Sequence, residues 1–434
     1  MKRCLLLIYV VPALAVTALA MDRRHFNELN KKGRELRQKQ DWKALREVLL
    51  EIGKELPAPT PVYLLRRASV EAHLGNNTEA LNWLERYAAM GLTYDVAADD
   101  DLKPLLSDPA WPKVADEMKR AAVPVNKVQK FCTLPVPDLM PEDLTFDGSG
   151  ALILSSVRHH SLYRASLSRT DKGNCILQEL GLPPEAKRWP VLATSYDPQR
   201  KLLWASTAAI PDFPDVPKKD SGRTALLAID PQTGKLLRRI DLGSSTPALL
   251  GDMSVGADGS VYLGDSLGDG SYRVSGDVKS AKLEKIAEGL FSPQTPALAR
   301  DGKRLFVADY SLGIAVVDPS GHSKSVTYLA HPENIACTGI DGLLLTGNSL
   351  IGVQNGVEPA RVVRFQLNPE QTRIESVEVL AQGFEGLGEP THAAAHDGWI
   401  YVTANVGWNK LDNKGNLKTG ESFTAPVVFR FREK

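Results

Sequence analysis

Cysteine is scarce and scattered: Cys4, Cys132, Cys175 and Cys337 are the only four in 434 residues, and no two stand in a Cys-x-x-Cys spacing. That excludes a zinc ribbon and a dithiol redox motif, and it leaves room for a disulfide whose partners the spacing does not name. Net charge is lacking too, with 52 basic against 52 acidic residues. No basic stripe of the kind a phosphate backbone demands is present, so nucleic acid is not an expected partner.

The one long apolar run lies at the start. Lys2 and Arg3 precede an apolar stretch from Cys4 to about Ala20 that ends small-x-small, Ala18-Leu19-Ala20. Residues 1–20 therefore read as a cleaved export signal, with the mature chain in a periplasm or outside the cell and no stable membrane insertion afterwards. An uncleaved anchor is the alternative, since the run approaches the roughly 18 residues a span requires. Cleavage leaves Cys132, Cys175 and Cys337, an odd number, with the pairing open.

Residues 21–122 carry few glycines and many Leu, Ala, Glu, Arg and Lys, with apolar residues at three-to-four spacing in "WKALREVLLEIGKEL", which predicts helices. Ala44-Leu45 and Ala80-Leu81 stand 36 residues apart. With Leu74-Gly75 at a turn and Ala80 where paired helices touch, this part resembles the tetratricopeptide repeat family. Two repeats are fewer than such units need to stand alone, so the helical region is expected to lean on its neighbour, and it could hold a protein partner. Residues 123–130 read as a linker.

From 131 to 434 the texture changes to short apolar runs punctuated by Gly, Pro and Asp-Gly. Six segments share one pattern of strand, turn, strand, with turns at Asp147-Gly148, Asp197-Pro198, Asp258-Gly259, Asp301-Gly302, Asp341-Gly342 and Asp397-Gly398. Asp-Gly supplies the positive φ angles of a two-residue hairpin, and six such units near 45 residues apart predict an all-β six-bladed propeller. A residue just before the innermost strand of a blade points into the axial channel. Glu142, Asp252, Gln294, Glu333, Asn334, Glu389 and His392 are thereby candidates to converge, and Asp143 is expected to turn outward. Carboxylates sharing a channel repel unless a cation or protons neutralise them, and oxygen ligands suit calcium better than zinc. The bland alternative is a set of solvated loop residues at the channel mouth.

The blade pattern, with "SPQTPALARDGKRLFVADYSLGIAVVD" its closest stretch, resembles the gluconolactonase, senescence-marker-protein and strictosidine-synthase-like propellers over about 131–434. The resemblance implies one divalent cation, usually calcium, in the channel. Glu142 matches the opening Glu of that ligand set; Gln294 and Glu333 stand where the family has Asn and Asp, and Gly251-Asp252 where it has Asn-Asp. It further implies a metal-dependent hydrolase of lactones or small esters, with Asp252 activating water and Asn334, Glu389 and His392 near the small-molecule ligand. The altered ligand set keeps a non-catalytic binding or scaffold protein as the alternative. "GDSLG" around Ser266 imitates a hydrolase nucleophile motif, but it ends a strand with no helical pattern after it, so no nucleophile is expected there. The Pro- and Asp-rich insertion 208–224 is a long loop that could cover the channel mouth.

Overall fold

The computed structural model describes residues 22–434 except 212, 243–246 and 258. The proposed export signal and Asp258 of one turn lie outside the described residues. Helices α1 (Arg23–Gln38), α2 (Trp42–Glu55), α3 (Pro61–His73) and α4 (Asn77–Ala88) follow one another through short turns, and α5 (Trp111–Ala121) closes the helical region. Their starts are written in the sequence: Asp22 accepts from Arg24 N (2.9 Å), Asp41 from Ala44 N (3.1 Å), and Thr60 from Tyr63 N (3.2 Å) with Pro61 opening α3. Each cap satisfies a helix N–H that has no intrahelical partner. Ala80 is fully buried where the helices meet, and Gly75 turns the chain at φ 77°. The structure therefore shows a helical region of packed helices. No helix among the described residues is long and apolar enough to cross a membrane.

Six antiparallel sheets follow. Their first strands are Leu144–Phe146, Val191–Asp197, Leu250–Val255, Pro293–Leu298, Ile340–Thr346 and Ala393–His396. Each of these touches the first strand of the blades before and after it, closing a ring around one axis. This is the six-bladed propeller read from the sequence. The last blade is completed by Gln129–Thr133, which pairs with the C-terminal strand Val427–Arg432. Residues 123–130 are thus not a free linker: Val125–Asn126 adds a fifth strand to blade five, and the last blade borrows its outer strand from just ahead of blade one. Joining the first and last strands of the propeller in one blade removes the open edge that an unclosed ring would expose.

A disulfide locks that closure. Cys132 on the borrowed strand joins Cys175 on the outer strand of blade one, 43 residues away, and Cys337 is free and buried. Closing a loop of this length stabilises by up to about 4 kcal/mol through the unfolded state.

The two-residue hairpin expectation holds at Asp397-Gly398, where both residues have positive φ (48° and 72°) and His396 pairs with Trp399. Blades one and four use longer turns, closed by Asp147 N donating to Ala151 O (3.0 Å) and Ala299 N to Arg304 O (2.8 Å). In blade five the expectation fails. Asp341-Gly342 lies inside the innermost strand at a register shift, and the turn is Gly347-Asn348 between paired Thr346 and Ser349. Gly342 is required there by close approach: a Cβ would stand 2.6 Å from Thr391 O and 2.8 Å from His392 Cα.

The helical region docks on blades three to five. Leu312 and Ala336 enter its core, Phe26 meets Phe291 edge to face at 5.1 Å, and Arg361 donates to the carbonyls of Met90 and Gly91 (3.2 Å each). The helical region is thus in contact with its neighbour through both apolar packing and hydrogen bonds. In a chain begun at residue 22, which lacks Cys4, thiol titration in denaturant is expected to find one reactive thiol. Cys175→Ser is expected to lower unfolding free energy by about 2–4 kcal/mol, measured by denaturant melts, while Cys337→Ser leaves the disulfide intact.

Candidate functional site

At the end of the channel that carries the blade-to-blade connections lies a cavity of ≈ 320 Å³. Glu142, Leu249 and Glu389 reach it from those connections, and Ile210, Ser266, Tyr310, Asn355 and Trp408 from the loops joining second and third strands. The helical region docks on the same face, through Leu312 and Glu358 in two of those loops.

The floor is acidic. Ligand atoms of Glu142, Asp341 and His392 all lie within 4.8 Å of one another, a group able to hold a metal ion. Trp408 Nε1 donates to Glu142 Oε2, and Asn355 Nδ2 donates to Asp341 Oδ2 at 2.6 Å. Each carboxylate keeps its other oxygen without a hydrogen bond among the described residues. Asn355 is itself held by the Tyr310 hydroxyl at 3.0 Å.

His392 is the centre of the arrangement. Its Nδ1 donates to Glu142 O at 2.9 Å, and its Nε2 pairs with Asp252 Oδ1, which also accepts from Thr295 Oγ1 at 2.9 Å. Burial alone would lower the His392 pKa, but Asp252, Asp143 and Asp341 outweigh it and hold the imidazole protonated well above its usual range. The His392–Asp252 pair is a strut from blade six to the opposite blade three. Thr295 also donates to Asp341 O (2.8 Å) and Thr391 to Glu142 O (2.6 Å), so neighbouring blades are tied at the same level.

One imidazolium does not balance this many acids. Burial, and after it Asp341, pushes Glu142 well above the ordinary carboxylate range. Burial raises Asp341 to about 7 and Asp143 to about 6, and it raises Glu389 as well. Without a cation the floor holds protons near neutral pH.

Of the residues expected from sequence, Glu142, Asp252, Gln294, Glu389 and His392 converge on this cavity. Gln294 Nε2 donates to Ser292 Oγ (3.0 Å), and Glu389 Oε2 accepts from Asn409 N (2.7 Å). Glu333 and Asn334 do not arrive. Both are exposed, and Glu333 is ion-paired to Arg86 of α4 at 2.8 Å, so it belongs to the seam with the helical region. The reason is the misread turn of blade five, which placed the strand start some residues too early; the residue at that start is Asp341. Asp143 is a second correction. It does not turn outward but is buried, accepting from Leu144 N (2.7 Å) and Thr194 N (2.8 Å), and so staples blade one to blade two. Trp408, Tyr310 and Asn355 come from loops and carry no periodic signal.

No protein-family model matches the chain, and no curated protein matches it. Among solved structures it is similar to a PQQ-bound aldose sugar dehydrogenase from Streptomyces coelicolor, at 15% identity over 70% of this chain and 97% of that one, TM-score 0.48. It is also similar to a gluconolactonase from Xanthomonas campestris (12%, 67% and 88%, 0.45) and to the calcium-binding protein regucalcin from Agrobacterium tumefaciens (17%, 68% and 90%, 0.45). With scores below 0.5 at such identities, the assignment of the fold rests on the sheet order itself.

In chelator, the melting temperature of residues 22–434 is expected to fall as pH rises from 5 to 8. Asp143 and Asp341 titrate in the fold at about 6 and 7 against an ordinary 3.8. Stability present below 3.8 is therefore lost as pH rises through those folded values, and His392, also raised, acts in the same direction. Scanning calorimetry at four pH values checks this; a melting temperature that climbs from pH 5 to 8 contradicts it.

Proposed function

We propose that the protein is an exported, divalent-cation-dependent hydrolase of lactones or related small esters, with calcium in the channel on Glu142 and Asp341. The observation that carries this reading is the pair of free carboxylate oxygens converging on the floor of a cavity large enough for a small molecule. Both nitrogens of His392 are engaged, so the donors left over are oxygens, and an all-oxygen set favours calcium over zinc. Gln294, whose amide nitrogen is spent on Ser292, offers an amide oxygen at the margin. Trp408 and Asn355, from the cavity walls, would orient the two carboxylates as hydrogen-bonding partners of metal ligands do.

Glu142 and Asp341 would hold the calcium ion, whose positive charge would serve to polarise a substrate carbonyl. Asp252 would take a proton from water on Oδ2, a role supported by His392 and Thr295, which engage its Oδ1 and leave Oδ2 for water. Glu389, raised by burial at the cavity edge, contacts the polar end of the ligand. Export is supported by the Cys132–Cys175 disulfide, a bond that persists in oxidising compartments.

A non-catalytic binding role is the second reading, favoured by a groove of ≈ 280 Å³ between α1 and α3. Val62 stands 56% exposed on its wall. Arg34 and Arg66 line it with no carboxylate partner among the described residues. Tetratricopeptide-like hairpins would hold a peptide there.

Titration calorimetry of the mature chain is expected to give one calcium site, weakened at least about tenfold in Glu142→Gln and in Asp341→Asn. In a pH-stat assay over a panel of lactones, Asp252→Asn is expected to lower kcat by about 10²–10⁴-fold. Calcium binding without turnover selects the second reading, and no calcium binding contradicts the first.

A further inference from the structure

The walls above the acidic floor divide the cavity into two unlike halves. Leu192, Ile210, Leu249 and Trp408 form one side, contributed by blades two and six and by the connection into blade three. Gln294, Tyr310 and Asn355 form the other, from blades four and five. No lysine or arginine lines the cavity among the described residues. The apolar half is built rather than incidental: Leu192 packs with Met140, Val157, Phe213 and Val406 in one buried cluster, against which Ile210, Leu249 and Trp408 lean. Phe213 comes from the insertion 208–224 and meets Trp408 at 6.1 Å between ring centroids, so the two long loops of blades two and six wall the cavity together.

These features constrain the ligand. A carboxylate or other anionic group on the ligand would find no lysine or arginine on the walls to pair with, and the cationic side chain of the floor, His392, is already engaged by Asp252. A ligand with hydroxyl groups on every side would leave those against Leu192 and Ile210 without partners. We infer that the site takes an uncharged carbonyl compound with a polar end and an alkyl or aromatic body, its carbonyl toward Glu142 and Asp341 and its body against the Leu192–Ile210–Trp408 wall. The ligand class is thus an amphiphilic lactone or ester rather than a sugar acid or its polyhydroxylated lactone. This rests on the reading that a carbonyl compound occupies the channel cavity, and it narrows that reading to one substrate class.

Lactams replace lactones in the test because they resist hydrolysis while keeping the ring and carbonyl. The probes are 6-pentyl-2-piperidone and the polyhydroxylated glucono-δ-lactam, titrated calorimetrically into the full mature chain with calcium and again with chelator. Each methylene buried on the apolar wall strengthens binding about fourfold. The alkyl lactam is therefore expected to bind at least tenfold more tightly than the polyhydroxylated one. Ile210→Asn is expected to cut that ratio below about threefold with the calcium isotherm unchanged. Equal or reversed affinity, or failure of both lactams to bind, overturns the inference, as does an Ile210→Asn variant that folds and keeps the full ratio. If that variant does not fold, the wild-type ratio decides. Calcium bound without the alkyl preference defeats this inference alone; the preference retained in a chain that binds no calcium defeats the metal reading alone.

Discussion

Six inner strands bring the first residue of each blade toward one axis, and there the chain has placed Glu142, Asp252 and Asp341 around a single protonated histidine. Burying like charges this close is costly unless they are compensated. Much of the surrounding structure is that compensation. His392 spans the channel to Asp252, threonines 295 and 391 donate across blade seams, and Trp408 and Asn355 reach in from loops to hold the two carboxylates that remain. The unmet negative charge gives the channel its capacity for a cation, and the same contacts that orient the ligands hold the ring together.

The helical region takes part in this arrangement. Arg361 is almost fully buried; its Nε donates to Gln354 Oε1 at 2.8 Å while its Nη1 reaches the carbonyls that follow α4. Burial lowers its pKa to about 10. Gln354 precedes Asn355, which holds Asp341, so the seam with the helices and the floor of the cavity share one strand end. Leu312 in the helical core and Tyr310 at the cavity share another loop. The propeller face bearing the cavity is braced by the helices on blades three to five and by the Phe213–Trp408 cluster on the opposite side.

The architecture was legible because blades repeat. Asp and Gly punctuate nearly every unit, and an error at one turn leaves the count of strands unchanged. The site was less legible because it depends on phase. Asp341-Gly342 looks like a hairpin turn, yet Gly342 is there for the close approach of blade six, and reading it as a turn sent attention to Glu333 instead of Asp341. Asp143 shows the same limit at one residue's resolution: it stands next to Glu142, and only a tertiary partner, Thr194 of the next blade, explains why it is buried rather than turned outward. Trp408 lies in a 22-residue connection, 405–426, between two strands, where no pattern in the sequence marks it as a partner of Glu142. The disulfide followed from ring closure, which sets Cys132 beside Cys175 and leaves Cys337 within the core of blades four and five.

The central claim is that the charge on the channel floor is completed by an ion on Glu142 and Asp341. Anomalous diffraction from a crystal of residues 22–434 grown with calcium at pH 8 tests it most directly. The expected result is one anomalous peak in the channel about 2.3–2.6 Å from an oxygen of each carboxylate, with His392 still paired to Asp252. A channel holding only water, with Glu142 and Asp341 drawn together over a shared proton, would contradict the account.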